Sequence, residues 1–301
     1  MTDDVARRFE GAHCPLVTPF AGSDVDHEAL GELVEHVLDG GVTGLVPCGT
    51  TGEFASLDAA EYRAVLETTV EYADGAPVMA GTAGTSVAET LDKIETAADV
   101  GADAALITLP YFHGSNDPAG DEAFVRRVAD DAALPIYLYN IPACVGRPIA
   151  ADSAVELAEH DRILGVKDSS GDFNYFSELL RRTPESFQLF EGFDSHFVPG
   201  LLFGSDGGVN ALSNVIPEAF AAATDAAFDG DAEAARRIHE EHVAPLFQQC
   251  VEHGFGPATK AGLRARGVLE TDEVRPPLVE LDADARDEIA SLVEDVVAAY
   301  E

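Results

Sequence analysis

Lysine is nearly absent from this chain. Its 301 residues carry three, Lys93, Lys167 and Lys260, and only 18 lysines and arginines in all against 55 aspartates and glutamates. A net charge of −37 excludes nucleic acid as a partner, because a surface so short of cations repels phosphate backbones. Cysteine is also scarce. Cys14, Cys48, Cys144 and Cys250 stand far apart with no CxxC pair, which leaves a metal site without support and fits a reduced, cytoplasmic setting. No apolar run is long enough to span a bilayer, and Met1-Thr2-Asp3-Asp4 lacks the basic-then-apolar pattern of a signal peptide. A soluble protein without membrane attachment is expected.

What is present is acid spread through every segment and 46% hydrophobic side chains, too many for a disordered chain. So dense a negative surface repels itself at low ionic strength and is screened by salt. It reads as adaptation to a salt-rich cytoplasm, as in halophilic microbes. From residue 12 onward, β-rich runs alternate with amphipathic stretches. The runs are Ala12–Val17, Val42–Pro47, Pro77–Ala80, Ala102–Leu109, Pro135–Tyr139, Ile163–Val166, Phe187–Phe190 and Gly208–Asn210. Helical patterns include Asp26–Leu38, Ala59–Tyr72, Val87–Val100, Asp121–Ala132 and Ala151–His160. Asp24, Asp58 and Ser86 stand where N-caps are expected, and glycines close several helices. Eight nearly all-apolar strands, each followed by a helix, predict a parallel sheet covered on both faces, and so an α/β protein with a (β/α)8 TIM barrel. The competing open sheet lacks a G-x-G-x-x-G after its first strand. The barrel is expected over residues 1–229. A C-terminal helical extension over 230–301 follows, with Asp231–His253 as one helix and Arg275-Pro276-Pro277-Leu278 as a rigid connector.

Barrel chemistry collects at the C-terminal ends of the strands. Strand six, Ile163-Leu164-Gly165-Val166-Lys167, ends in the only lysine carried on an apolar run. Desolvation there disfavours the ammonium form and prepares the amine to attack a ketone as a Schiff-base nucleophile. An ion pair with Asp168 or Asp172 is the other reading, and the residue alone leaves both open. Strand two is followed by Gly49-Thr50-Thr51-Gly52-Glu53, whose hydroxyls and backbone N–H groups suit a small carboxylate or phosphate, or simply cap a helix. Gly81-Thr82-Ala83-Gly84-Thr85-Ser86 after strand three is a weaker anion cradle. On strand five Tyr137 and Tyr139 point the same way, and Tyr139 at the end is placed for acid–base work or, equally, for the core. His239-Glu240-Glu241-His242 lacks the H-E-x-x-H spacing and reads as a solvated helix face.

Taken together, Leu16-Val17-Thr18-Pro19-Phe20, Gly49-Thr50-Thr51-Gly52-Glu53, Tyr139-Asn140-Ile141-Pro142, Gly165-Val166-Lys167-Asp168 and Gly204–Pro217 resemble the pyruvate-dependent class I aldolase family. That family is typified by dihydrodipicolinate synthase and N-acetylneuraminate lyase. The resemblance implies that Lys167 forms the imine with a 2-keto acid and that Tyr139 shuttles the proton. It implies that Thr50 and Thr51 hold the carboxylate and relay protons, and that Gly192 and Val209 line the floor. It implies a homotetramer, and no metal or organic cofactor, because the protonated imine is itself the electron sink. Two positions depart from the synthase pattern: Phe112 replaces a tyrosine that reaches a neighbouring subunit, and Cys144 replaces an arginine. Gly204–Glu218, including Pro217, and Arg275-Pro276-Pro277 are similar to archaeal 2-keto-3-deoxygluconate aldolases. The loop His113-Gly114-Ser115-Asn116 supplies no arginine for a phosphate, and Arg147 and Lys260 are the remaining cations to consider. The expected reaction is therefore cleavage of 2-keto-3-deoxygluconate or its 6-phosphate to pyruvate and glyceraldehyde or its 3-phosphate. The alternatives are a 4-hydroxy-tetrahydrodipicolinate synthase, joining pyruvate to aspartate semialdehyde, and a catalytically silent sugar-acid binder.

Overall fold

The computed structural model describes residues 5–300 apart from Arg7, Ser115 and Asn116. The N-terminal tetrapeptide and the Ser115-Asn116 pair discussed above lie outside the described residues. Eight parallel strands pair in one sheet: β1 Gly11–Cys14, β2 Gly44–Leu45, β3 Met79–Gly81, β4 Ala104–Thr108, β5 Ile136–Asn140, β6 Ile163–Asp168, β7 Gln188–Glu191 and β8 Gly207–Val209. Their order is β2-β1-β8-β7-β6-β5-β4-β3, and a parallel bridge between Leu45 and Val78 joins the two ends into a barrel. Helices α1 His27–Asp39, α2 Ala59–Tyr72, α3 Val87–Val100, α4 Pro118–Asp131, α5 Ala151–Leu157, α6 Phe173–Arg182, α7 Phe197–Phe203 and α8 Pro217–Phe228 form the outer ring. The expected (β/α)8 barrel is the observed fold.

Local chemistry explains the element boundaries. Strands β4, β5 and β6 are buried along their whole length, as helices on one face and core on the other require. The first two strands are shorter than the apolar runs suggest, because Pro15 and Pro47 have no N–H to donate to the ladder. Asp58 caps α2 in a full capping box with Glu61, and Ser86 caps α3 through the Glu89 N–H. The expectation for Asp24 is corrected. Asp26 caps α1 by accepting from Ala29 N at 3.0 Å, while Asp24 lies in an antiparallel hairpin, Phe20–Ala21 with Asp24–Val25, whose two-residue strands carry no readable alternation.

Beyond the turn at Gly230 come α9 Ala232–Ile238, α10 Ala244–His253, α11 Phe255–Ala265 and α12 Ala283–Tyr300. A π-helical turn, His239–Val243, interrupts the single helix expected over Asp231–His253. It also corrects the reading of His239–His242 as a solvated face. Glu240 and Glu241 are exposed, but His239 and His242 are half-buried, with the His242 ring centroid 5.6 Å from that of Tyr300. Among the described residues no cluster of His, Cys, Asp and Glu is placed to hold a metal, and no helix is long and apolar enough to cross a membrane.

α11 is buried from Gly256 to Leu263, and Lys260 at its centre has no exposed surface. The Lys260 ammonium donates to Glu53 Oε1 at 2.5 Å and to the Glu273 carbonyl at 2.7 Å, and stands 4.1 Å from the centroid of the Phe20 ring. Burial lowers its pKa, and Glu53 works against that shift. This corrects the view that Lys167 alone is carried into apolar surroundings. α11 gives no signal of that burial, because lysine at that point of a helix is ordinarily solvated.

Most arginines on the surface are already paired, as in Arg63–Glu67, Arg126–Glu122 and Arg236–Glu240, so the excess acid has no counter-charge within the chain. The Debye length falls from about 10 Å at 0.1 M salt to about 3 Å at 1 M. The melting temperature is therefore expected to rise from low to molar salt in a calorimetric or dichroism scan. A melting temperature indifferent to salt contradicts self-repulsion as the dominant surface term.

Candidate active site

Alternation along β6 decides which way its last two residues face. Lys167 turns into the barrel, and Asp168 turns out towards the helices. Asp168 is satisfied there, accepting from Asn140 Nδ2 at 2.7 Å, the Ser170 N–H at 3.1 Å and the Ser170 hydroxyl at 2.9 Å. Asp172 is the N-cap of α6. The partners of these carboxylates are Asn140, Ser170 and the first turn of α6 rather than Lys167, so the ion-pair reading is removed, and the lysine is 5% exposed at the barrel mouth.

β5 pairs residue for residue with β6 at this end, placing Tyr139 opposite Lys167. The lysine Nζ lies 4.3 Å from the centroid of the Tyr139 ring. Tyr137, two residues earlier, is in the barrel core, where its hydroxyl is 2.5 Å from Gln188 Oε1. The two tyrosines thus share a face and divide the alternatives between them, one in the core and one at the mouth.

The loop after β2 delivers the hydroxyls. Cys48 and Glu53 are in the left-handed region, with φ of 57° and 53°, so the chain turns sharply at both ends of Gly49-Thr50-Thr51-Gly52. The loop lies so close to β3 that a Cβ on Gly81 would come 2.2 Å from the Cys48 carbonyl oxygen. Thr18 holds it by donating to the Gly52 carbonyl at 2.7 Å. Thr50 Oγ1 then stands 3.5 Å from the Tyr139 hydroxyl, and Thr51 is buried. Across the barrel, a Cβ on Gly192 would come 2.1 Å from Ser169 Oγ and 2.7 Å from Lys167 Cε. Only glycine leaves the lysine side chain room there.

Lys167, Tyr139, Thr50, Thr51, Gly192 and Val209 all line one cavity of about 160 Å³. Sequence reasoning missed three of its other lining residues. Ser169 and Asp194 each present a buried oxygen without a partner, Ser169 Oγ and Asp194 Oδ2. Phe255 enters from α11. Asp194 Oδ1 accepts from Leu212 N at 2.8 Å, and burial raises its pKa to about 6 against the pull of that N–H and of Lys167. The signal available for Ser169 and Asp194 was their place just beyond strand ends. For Phe255 there was none.

Other expectations fall outside the cavity. Thr82 bonds the Leu106 carbonyl and Ser86 caps α3, so the Gly81–Ser86 loop is a helix entry rather than an anion cradle. Arg147 is committed to Asp121, with Nε to Oδ2 at 2.7 Å and Nη2 to Oδ1 at 2.5 Å, and Lys260 is held by Glu53. Phe112 projects outward, 84% exposed, while Cys144 lines the mouth without a charge.

Behind the mouth, Glu191 of β7 lies opposite Asp168 in register, buried and with Oε1 unpartnered. Burial, reinforced by Asp168, raises its pKa from 4.5 to about 9. The folded state therefore keeps this proton where the unfolded chain has lost it. The group costs no stability below pH 4.5, and an increasing amount as pH rises from there towards 9. Glu191→Gln is expected to raise the melting temperature at pH 8 and to converge with the native chain near pH 4. A constant offset at both pH values contradicts the buried titration.

With this geometry in place, comparison with known proteins is specific. The model of the dihydrodipicolinate synthetase family matches residues 8–296. The 4-hydroxy-tetrahydrodipicolinate synthase of Methanosarcina barkeri is 38% identical over 276 residues, 91% of this chain and 93% of its own. That of Natronomonas pharaonis is 36% identical over 299 residues, 98% and 99% of the two chains. The crystal structure of dihydrodipicolinate synthase from Aquifex aeolicus superposes with a TM-score of 0.90 at 33% identity, covering 95% of this chain and 97% of the other. These names overturn the expectation of 2-keto-3-deoxygluconate cleavage and give no support to a placement nearest to the archaeal aldolases of that sugar acid. The physical reason lies in the residues that carried it. Asn214 accepts from Val17 N at 3.1 Å and donates to the Pro15 carbonyl at 3.0 Å, and Arg275 ties the segment between α11 and α12 to Glu61. Neither side chain lines the cavity around Lys167, so neither identifies the aldehyde by contact. The chain belongs to the dihydrodipicolinate synthetase family, and with it to the aldolase-type carbon–carbon lyases.

Proposed function

We propose that the chain joins pyruvate to aspartate semialdehyde, the reaction of a 4-hydroxy-tetrahydrodipicolinate synthase. The observation that carries this reading is that relatives bearing that name match the chain almost end to end while Lys167, Tyr139 and Thr50 meet in one small cavity. Lys167 adds to the keto carbon of pyruvate and expels water as the iminium forms. Tyr139, in reach of Thr50, carries protons between the imine, the methyl carbon and the mouth. Thr50 and Thr51 hold the pyruvyl carboxylate, and Gly192 and Val209 shape the floor. Loss of a methyl proton gives the enamine, whose carbon attacks the aldehyde.

The aldehyde's own carboxylate meets no guanidinium at Cys144. Ser56 and Tyr111 line the adjoining mouth, and their hydroxyls are the groups left to receive it. Residues 1–229 serve in this reading as the catalytic barrel and 230–301 as an extension packed on it. Assembly as a homotetramer, which would cover exposed side chains such as Phe112 and Phe203, belongs to the same reading. So does adaptation of the acidic surface to a salt-rich cytoplasm.

The test is a competition between aldehydes at fixed pyruvate. Condensation with aspartate semialdehyde is expected to have the highest kcat/KM in a panel that includes glyceraldehyde and its 3-phosphate. Faster condensation with either glyceraldehyde contradicts the proposal.

A further inference from the structure

The cavity around Lys167 does not end at Tyr139. A second cavity of about 280 Å³ adjoins it, sharing Thr50, Ile141 and Cys144 with the first. Its lining includes Pro277 and Leu278, from the segment between α11 and α12 and absent from the lining of the first. That segment lies as a strap along the loops that follow β1 and β2 and is fastened at several points. Glu273 offers its carbonyl to Lys260 Nζ and its carboxylate to Gly22 N at 2.8 Å. The Arg275 N–H donates to Glu53 Oε2 at 2.9 Å. The Arg275 guanidinium forks onto both oxygens of Glu61, at 2.6 and 2.8 Å, and also reaches the carbonyls of Ser56 at 2.9 Å and Ser23 at 2.5 Å. It stacks on Phe20 with Cζ 4.3 Å from the ring centroid.

We propose that this strap, clamped by Arg275 and Glu53, is the outer wall of the aldehyde subsite, with Leu278 as a specificity-determining residue. The proposal rests on reading the Lys167 cavity as the pyruvate pocket. Once the imine occupies the inner cavity, the second substrate has to approach the enamine carbon from the outer one, which is where Leu278 stands. The anchor is shared with the inner site. Glu53 divides its carboxylate between Lys260 and the Arg275 N–H, while its own N–H donates to the Thr50 carbonyl at 3.1 Å. A strap so held lies in register with the hydroxyl that faces Tyr139. The C-terminal extension is then part of the substrate-recognising surface, with Phe255 entering the inner cavity and Pro277 and Leu278 bounding the outer.

Leu278 is 39% exposed, so Leu278→Asp is compatible with folding and places a carboxylate on the wall. In two-substrate kinetics its KM for the aldehyde is expected to rise roughly tenfold or more. The KM for pyruvate and the rate of borohydride trapping with pyruvate alone are expected to stay within about twofold. Arg275→Gln, which opens the clamp without stranding a buried charge, is expected to raise the aldehyde KM with the same selectivity. An unchanged aldehyde KM in Leu278→Asp, or equal rises for both substrates in either variant, overturns the assignment. The measurement uses whichever aldehyde the native enzyme condenses fastest. Another aldehyde in place of aspartate semialdehyde overturns the proposed reaction while leaving the wall to be judged by the split in KM.

Discussion

The in-register pairing of β5 with β6, from Tyr137–Gly165 to Asn140–Asp168, is the constraint on which the site depends. In a parallel barrel this pairing settles two things together. Tyr139 and Lys167 stand side by side, and both face inward, so an aromatic hydroxyl and an amine share a volume closed to most water. A slip of one residue would turn Lys167 towards α6 and bring Asp168 inward. Asn140 guards the register from the outer side. It donates to Asp168 and accepts from Ile149 N at 2.9 Å, tying both strand ends to the chain that follows.

Everything else at the mouth is fitted around that pair. Gly192 removes a side chain that would collide with Lys167 Cε, and Gly81 lets the Thr50-Thr51 loop lie against β3. The loop is pinned from both directions, by Thr18 at Gly52 and by Lys260 through Glu53. The buried Lys260–Glu53 pair is costly to desolvate and is retained with extra hydrogen bonds to both partners, from Arg275 N and to the Glu273 carbonyl. It converts the C-terminal extension from a bundle beside the barrel into a brace for the loop that carries Thr50 and Thr51.

How much of this was legible in the sequence follows from how far each feature reaches along the chain. The barrel was legible because each strand and its helix carry their own local pattern, and only edges such as Pro15 and Pro47 trimmed the expectation. Lys167, Tyr139, Thr50, Thr51, Gly192 and Val209 were legible as strand-end residues in an ordered set that resembles a family. Lys260 was not, because its partner lies 207 positions away and a helical lysine gives no sign of burial. Phe255, Pro277 and Leu278 were hidden for the same reason. The aldehyde was not legible because the stretches Gly204–Glu218 and Arg275–Pro277 that suggested it meet the cavities only through Val209, Ala211 and Pro277, which carry no group that tells one aldehyde from another.

Whether Lys167 is the nucleophile is tested most directly by reductive trapping. The protein is incubated with pyruvate and borohydride, digested, and mapped by mass spectrometry. A single pyruvyl-derived adduct on Lys167, appearing in step with loss of activity, is the predicted result. A label on Lys93 or Lys260, or full inactivation with no label at Lys167, contradicts it.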